Sequence, residues 1–145
     1  MDVDISIKVR KDREMKQILF RAKQRGTGDW VEGVPIQHSD GDWQIHGGFS
    51  NAGFLAVIHP ETVCQYTGLT DKNDKKIFEG DILSAHLDDE HPEDTTYVQI
   101  TWNGFSWCTR ESTEDDVISE SDCNTFEVCG NIFDNPELIG NEMRI

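Results

Sequence analysis

Basic side chains are scarce in this sequence, and those present gather at one end. The 145 residues carry 13 Lys+Arg against 28 Asp+Glu, a formal net charge of −15. That excess of acid repels phosphate backbones, so nucleic acid is not the expected partner. Long apolar runs are also missing. None approaches the ~18–20 residues that would span a bilayer, so no membrane partner is expected. Residues 1–14 (MDVDISIKVRKDRE) lack the apolar middle of a secretion signal, and a cytoplasmic location is the expectation. Cysteine occurs four times, at Cys64, Cys108, Cys123 and Cys129, never as C-x-x-C and in no zinc-site spacing. Reduced, buried thiols are expected, with no metal and no cofactor. Catalytic motifs are lacking too: there is no G-x-S-x-G, no H-E-x-x-H and no Gly-rich phosphate loop. No catalytic residue is named, and a non-enzymatic role is expected.

What is present argues for a packed domain. Hydrophobic residues make up only 36%, but they include four Trp and seven Phe, too many large apolar groups for an acidic disordered tail. A chain of this length buries roughly 70% of the surface its unfolded form exposes, enough for a core without staples. The charge is divided along the chain. Residues 1–25 carry eight basic and four acidic side chains, residues 26–82 three and nine, and residues 83–145 two and fifteen. The acidic end is read first as a solvated surface.

From Ile18 onward short strands alternate with turn residues. Trp30–Val34 reads as a strand in which Gly33 marks a bulge or a close backbone approach. Ser39–Asp42 is a turn, Trp43–His46 its partner strand, and Phe54–Ile58 a buried strand. Pro60–Val63 opens one helical turn with His59 as cap. Glu79-Gly80-Asp81 is a sharp corner, because Gly tolerates positive φ and Asp bonds nearby N–H groups. Tyr97–Trp102 and Phe105–Thr109 form a hairpin around Asn103-Gly104, which suits a two-residue type I′ turn. Leu87–Thr95 and Ser112–Cys123 read as acidic connections. Phe126–Phe133 is the last strand, and Asn135-Pro136-Glu137 begins a short capped helix.

Three of these segments resemble the YopX family, proteins encoded mostly by phages and integrated elements of bacteria. Met15–Ala22 (MKQILFRA) is similar to the family's opening strand, Gln65–Leu83 (QYTGLTDKNDKKIFEGDIL) to its long central motif, and Val128–Leu138 (VCGNIFDNPEL) to its closing one. Asp74 departs from the family's usual Gly, and Met1–Glu14 falls outside the likeness. The resemblance implies a mainly β protein: a small SH3-like β-barrel with an additional N-terminal β portion and one or two helical turns. The implied organisation is an extension over 1–14, a domain over 15–139 divided into 15–63 and an SH3-like portion 64–139, and a tail over 140–145. It also implies phage or prophage origin, and carries no chemistry with it.

The candidate interaction surface comprises Gln65, Tyr66, Thr67, Asp71, Glu79, Asp81 and Asn131. Gln65-Tyr66-Thr67 joins polar and aromatic groups as binding surfaces do, although a Tyr-anchored corner has the same composition. Asp71, Asp74, Glu79 and Asp81 resemble a cation site in acidity alone; the calcium-loop spacing fails, and turn-forming acids explain them better. Asn131 after Gly130 offers an amide to a partner or marks a bulge. His86 and His91 are expected to be exposed rather than metal-bound. The expected function is a non-enzymatic protein-binding module whose partner is a host or phage protein, with a homo-oligomer possible. The alternatives are a nucleic-acid-associated small β-barrel acting through Lys8–Arg25 with Trp30 and Trp43 nearby, and an acidic mimic of DNA that occupies a host DNA-binding protein.

Overall fold

A computed structural model describes residues 18–47, 54–86, 90, 95–111 and 114–140. Among the described residues eleven strands run in chain order: β1 (Phe20–Lys23), β2 (Trp30–Gln37), β3 (Trp43–Gly47), β4 (Phe54–Val57), β5 (Cys64–Thr70), β6 (Lys76–Phe78), β7 (Asp81–His86), β8 (Thr95–Trp102), β9 (Trp107–Glu111), β10 (Glu114–Val117) and β11 (Glu127–Asn131). They make two antiparallel sheets, ordered β4-β3-β2-β1-β5-β6 and β10-β9-β8-β7-β11. The protein is mainly β, as its sequence implies. Among the described residues both sheets are open, and no barrel closes. The chain crosses from the first sheet to the second at the Glu79-Gly80-Asp81 corner, where Gly80 takes φ +82°.

One apolar core lies on the first sheet and another between the two sheets. Ala22, Ile45, Ala56 and Ile58 pack with Val31, Trp43 and Val63 on the first. Between the sheets, Ile77 of β6 and Leu83, Val98, Ile100, Ile118 and Cys123 pack with Leu69 of β5, Trp107, Phe126 and Val128. Burial of each Ile or Leu is worth about 1.5–3 kcal/mol; the period-2 alternation of β3 supplies Ile45, and β6, β7 and β8 supply Ile77, Leu83 and Ile100. Gly33 marks a close approach: a Cβ there would lie 2.0 Å from the His46 carbonyl oxygen.

Local chemistry departs from expectation in four places. Asn103-Gly104 does not form a two-residue turn. Trp102 pairs with Trp107, which leaves a four-residue loop over 103–106. The Asn103 Oδ1 accepts the N–H groups of Phe105 and Ser106, each at 2.8 Å, and of the two only Gly104 has positive φ. Asn135 does not cap a helix: Pro136–Leu138 is a single 3-10 turn, and the Asn135 Oδ1 instead accepts the Asn131 N–H at 3.2 Å. His59 likewise makes no side-chain cap to the 3-10 turn Pro60–Thr62. Within the connection 112–123, Glu114–Val117 forms β10, an edge strand on which Arg110 holds Asp115 through Nε at 2.7 Å and Nη2 at 2.9 Å. Ladder pairing and this fork-to-fork contact outweigh the weak strand propensity of Asp and Glu.

Candidate functional site

The three motif segments converge on one junction between the sheets. Arg21 of β1 donates from Nη2 to Asp81 of β7 at 2.5 Å, and its guanidinium lies 4.6 Å from the ring centres of both Trp30 and Phe78. Asp81, 1% exposed, also accepts the Phe78 N–H at 2.8 Å. Burial pushes its carboxyl above the usual range, with the Arg21 charge and the Phe78 N–H acting against that rise. One turn away, Asp134 is bonded by the Lys23 ammonium, by Trp30 Nε1 at 2.8 Å and by Asn131 Nδ2 at 3.1 Å. Its partial burial opposes ionisation, but these donors win and lower its pKa to about 2. The Asn131 Oδ1 accepts the N–H groups of Phe133 and Asp134. Gly130 is needed beside it, since a Cβ there would meet the Asn135 Oδ1 at 2.5 Å. Gly80 completes the knot by donating to Ile100 O and accepting from Ile132 N, both at 2.9 Å.

Asp71 organises the central turn. Its Oδ1 accepts the N–H groups of Asn73 and Lys75, and its Oδ2 that of Val128 on β11. Burial disfavours the charged form, yet three backbone donors outweigh it and hold the carboxyl below the ordinary range. Asp74 sits in the same turn at φ +62°, the conformation that favours Gly. Asp71, Asp81 and Asn131 therefore direct their polar groups into the fold.

Gln65, Tyr66 and Thr67 lie elsewhere, on a groove of about 750 Å³ between β5 and the β8–β9 hairpin. Ile18, Leu69, Trp102, Phe105, Trp107 and Val117 are among its other walls. Phe105 is 93% exposed, and Ile18, Val117 and Trp102 are 66%, 64% and 49% exposed. The Trp102 and Trp107 rings meet at 4.9 Å between centroids. Tyr66 is buried against Phe78, 5.5 Å between ring centres, and forms the floor. The Thr67 hydroxyl donates to Ile77 O at 2.8 Å. Glu79 stands apart from the groove, half-buried, and burial raises its carboxyl pKa against the opposing Gln65 backbone N–H.

The aromatic wall of this groove is absent from the residues singled out in the sequence. A readable signal existed: Trp102, Phe105 and Trp107 flank a turn, where three large rings have little reason to be unless something covers them. Trp30 and Trp43, considered for base stacking, are both engaged. Trp30 packs on Phe133 and Arg21, and Trp43 on the first core.

The thiols are unpaired. Cys64, Cys108 and Cys123 are buried and Cys129 is exposed. Burial pushes the Cys64 thiol up to about 12, Arg21 pulling the other way. No three His, Cys, Asp or Glu side chains among the described residues are grouped to hold a metal. The His86 Nδ1 lies 2.9 Å from the Thr95 hydroxyl, and His91 lies outside the described residues. No helix is long and apolar enough to cross a membrane among the described residues.

These features define a class: a small two-sheet β protein, locked by a buried Arg–Asp pair, with an apolar groove open to solvent. The sequence matches the family described as YopX protein over residues 10–140, and the chain belongs to that family. Among solved structures it is similar to one described as "Crystal structure of protein EF1440 from Enterococcus faecalis", at 23% identity and a TM-score of 0.61. That match covers 87% of this chain and 100% of the other, and it speaks to the fold. Among curated proteins none matches.

Proposed function

We propose that this protein is a non-enzymatic binding module, borne by a phage or prophage and acting in the cytoplasm, that takes an apolar segment of a host or phage protein into the groove beside Tyr66. The carrying observation is that Ile18, Trp102, Phe105 and Val117, all well exposed, line one concave surface. Isolated exposed apolar residues are ordinary, but a contiguous set around a groove is a binding signature. Aromatic walls provide the anchor pocket, and Gln65 and Thr67 the polar margin, as at protein interfaces. The SH3-like relationship belongs to this reading as one of topology, with β5–β6 and the β7–β10 meander as the strands of a barrel left open along the groove. The acids of β10 disfavour a phosphate backbone on this face.

The test is parallel affinity purification from the bacterial host with the wild-type chain and with Trp102→Ala/Phe105→Ala. A partner captured by the wild type and lost from the variant, with unchanged circular dichroism, is the expected outcome. Identical recoveries from both proteins defeat the proposal.

A further inference from the structure

A second, smaller pocket of about 160 Å³ lies behind the Gly80 corner, lined by residues that the groove does not use. Its polar lining comes from Glu61, Glu79, Gln99 and Thr101, and its apolar lining includes Ile132 and Phe133. Gln99 is 1% exposed, and neither its Nε2 nor its Oε1 has a hydrogen-bond partner among the described residues. Buried amides are nearly always satisfied, so an orphan one lining a pocket points to a ligand. The strand leaves Gln99 no alternative. It is held between Ile82 of β7 and Arg110 of β9, and alternation puts residues 99 and 101 on the same face.

The pocket is also unbalanced in charge. Its lining holds two carboxylates and no basic side chain. The guanidiniums nearby are already taken, Arg21 by Asp81 and Arg110, opposite Gln99 on β9, by Asp115. Glu61 faces the His59 Nδ1 at 3.6 Å and its side chain is largely exposed at the rim of the pocket. Glu79 makes no ion pair among the described residues.

We propose that this pocket binds a compact organic cation, a guanidinium or primary ammonium head, between Glu79 and Glu61, with Gln99 Oε1 accepting one of its N–H groups. The lining favours such a head over a metal ion, because Ile132 and Phe133 offer an apolar face and a ring to a flat or alkyl-bearing cation. A water molecule occupies about 30 Å³ of liquid, so there is room for the head and a water that accepts from Gln99 Nε2. The site is separate from the groove, and its occupancy does not depend on that reading.

The experiment titrates the full chain with agmatine, with the capped peptide Ala-Ala-Arg-Ala-Ala and with neutral n-butylurea, following the Gln99 side-chain amide by NMR and heat by calorimetry. Agmatine shifts the Gln99 amide and n-butylurea does not. Binding of agmatine alone identifies a free cation as the source, and binding of the peptide as well identifies a chain-borne arginine. Glu79→Gln weakens agmatine about tenfold or more, the effect of one charge-assisted hydrogen bond. Gln99→Glu, which adds a carboxylate at the same place, tightens it and serves where Glu79→Gln misfolds. Trp102→Ala/Phe105→Ala leaves agmatine binding intact, so failure of the groove reading and failure of this one are distinguishable. An amide unmoved by either cation, as internal water alone would leave it, overturns the proposal, and so does an equal response to n-butylurea.

Discussion

Removing the Asp81 carboxylate is the sharpest test of how the two sheets are held together. Asp81→Ala strands the Arg21 guanidinium, packed between Trp30 and Phe78, and leaves the Phe78 N–H without its acceptor. The Arg21 side chain is 12% exposed and Asp81 is 1% exposed, so water cannot easily replace the lost partner. Breaking a buried pair by removing one member costs about 3–5 kcal/mol. That is a large share of the 5–15 kcal/mol by which domains are usually stable. For a chain of this size it lowers Tm by about 6–20 °C. The double variant Arg21→Met/Asp81→Ala removes the stranded charge and keeps an apolar side chain between the two rings. It is therefore expected to be more stable than Asp81→Ala alone. Urea unfolding followed by tryptophan fluorescence measures all three chains. The reasoning is refuted if Asp81→Ala stays within about 1 kcal/mol of wild type, since that is the worth of an exposed pair. It is also refuted if the double variant is no more stable than the single one.

Three further outcomes follow from the same geometry. Gly33→Ala would bring a Cβ against the His46 carbonyl, so β2 and β3 must separate; a loss of about 1–3 kcal/mol or more in thermal unfolding is expected, and an unchanged Tm contradicts the close approach. Asp134, lowered to about 2, and Asp71, also lowered, have folded-state values below their unfolded ones. Their stabilisation is therefore present above about pH 4 and is lost as pH falls from there towards 2, and Asp134→Asn should flatten the fall in urea midpoint over that window. With an aromatic disulfide reagent at pH 8, Cys129 should react first and Cys64 only on unfolding, because Cys129 is exposed while Cys64 is buried and its pKa is pushed up to about 12. Prompt modification of Cys64 in the folded chain is the contrary result.

Much of the strand pattern was legible because it rests on alternation and on turn residues. Gly33 was readable as a bulge or a close approach, of which the structure shows the close approach, and Glu79-Gly80-Asp81 as a sharp corner. The loop at 103–106 was not, because the choice between a two-residue and a four-residue turn depends on where Trp102 and Trp107 pair across the strands. β10 escaped notice because its four residues (EDDV) are all exposed and lack an apolar face; its partner β9 makes it a strand. Among the seven candidate residues, sequence could not separate Gln65 and Thr67, which line the groove, from Asp71 and Asn131, whose side chains tie the backbone. Polar residue type is the same in both settings, and only burial and bonding direction distinguish them.

Local codes and composition thus determined by themselves the mainly β character, the family, the acidic composition and most strand positions. These follow from side-chain period, turn conformations and motif spacing, all properties of neighbouring residues. The tertiary structure alone decided that β5 and β6 pair with the first sheet while β7 to β11 form a second one. It also decided that Arg21 meets Asp81 across 60 positions of chain. The groove and the Gln99 pocket belong to that second group. Each is a concavity between segments far apart in sequence, and its shape comes from packing, to which the order of residues along the chain gives no direct reading.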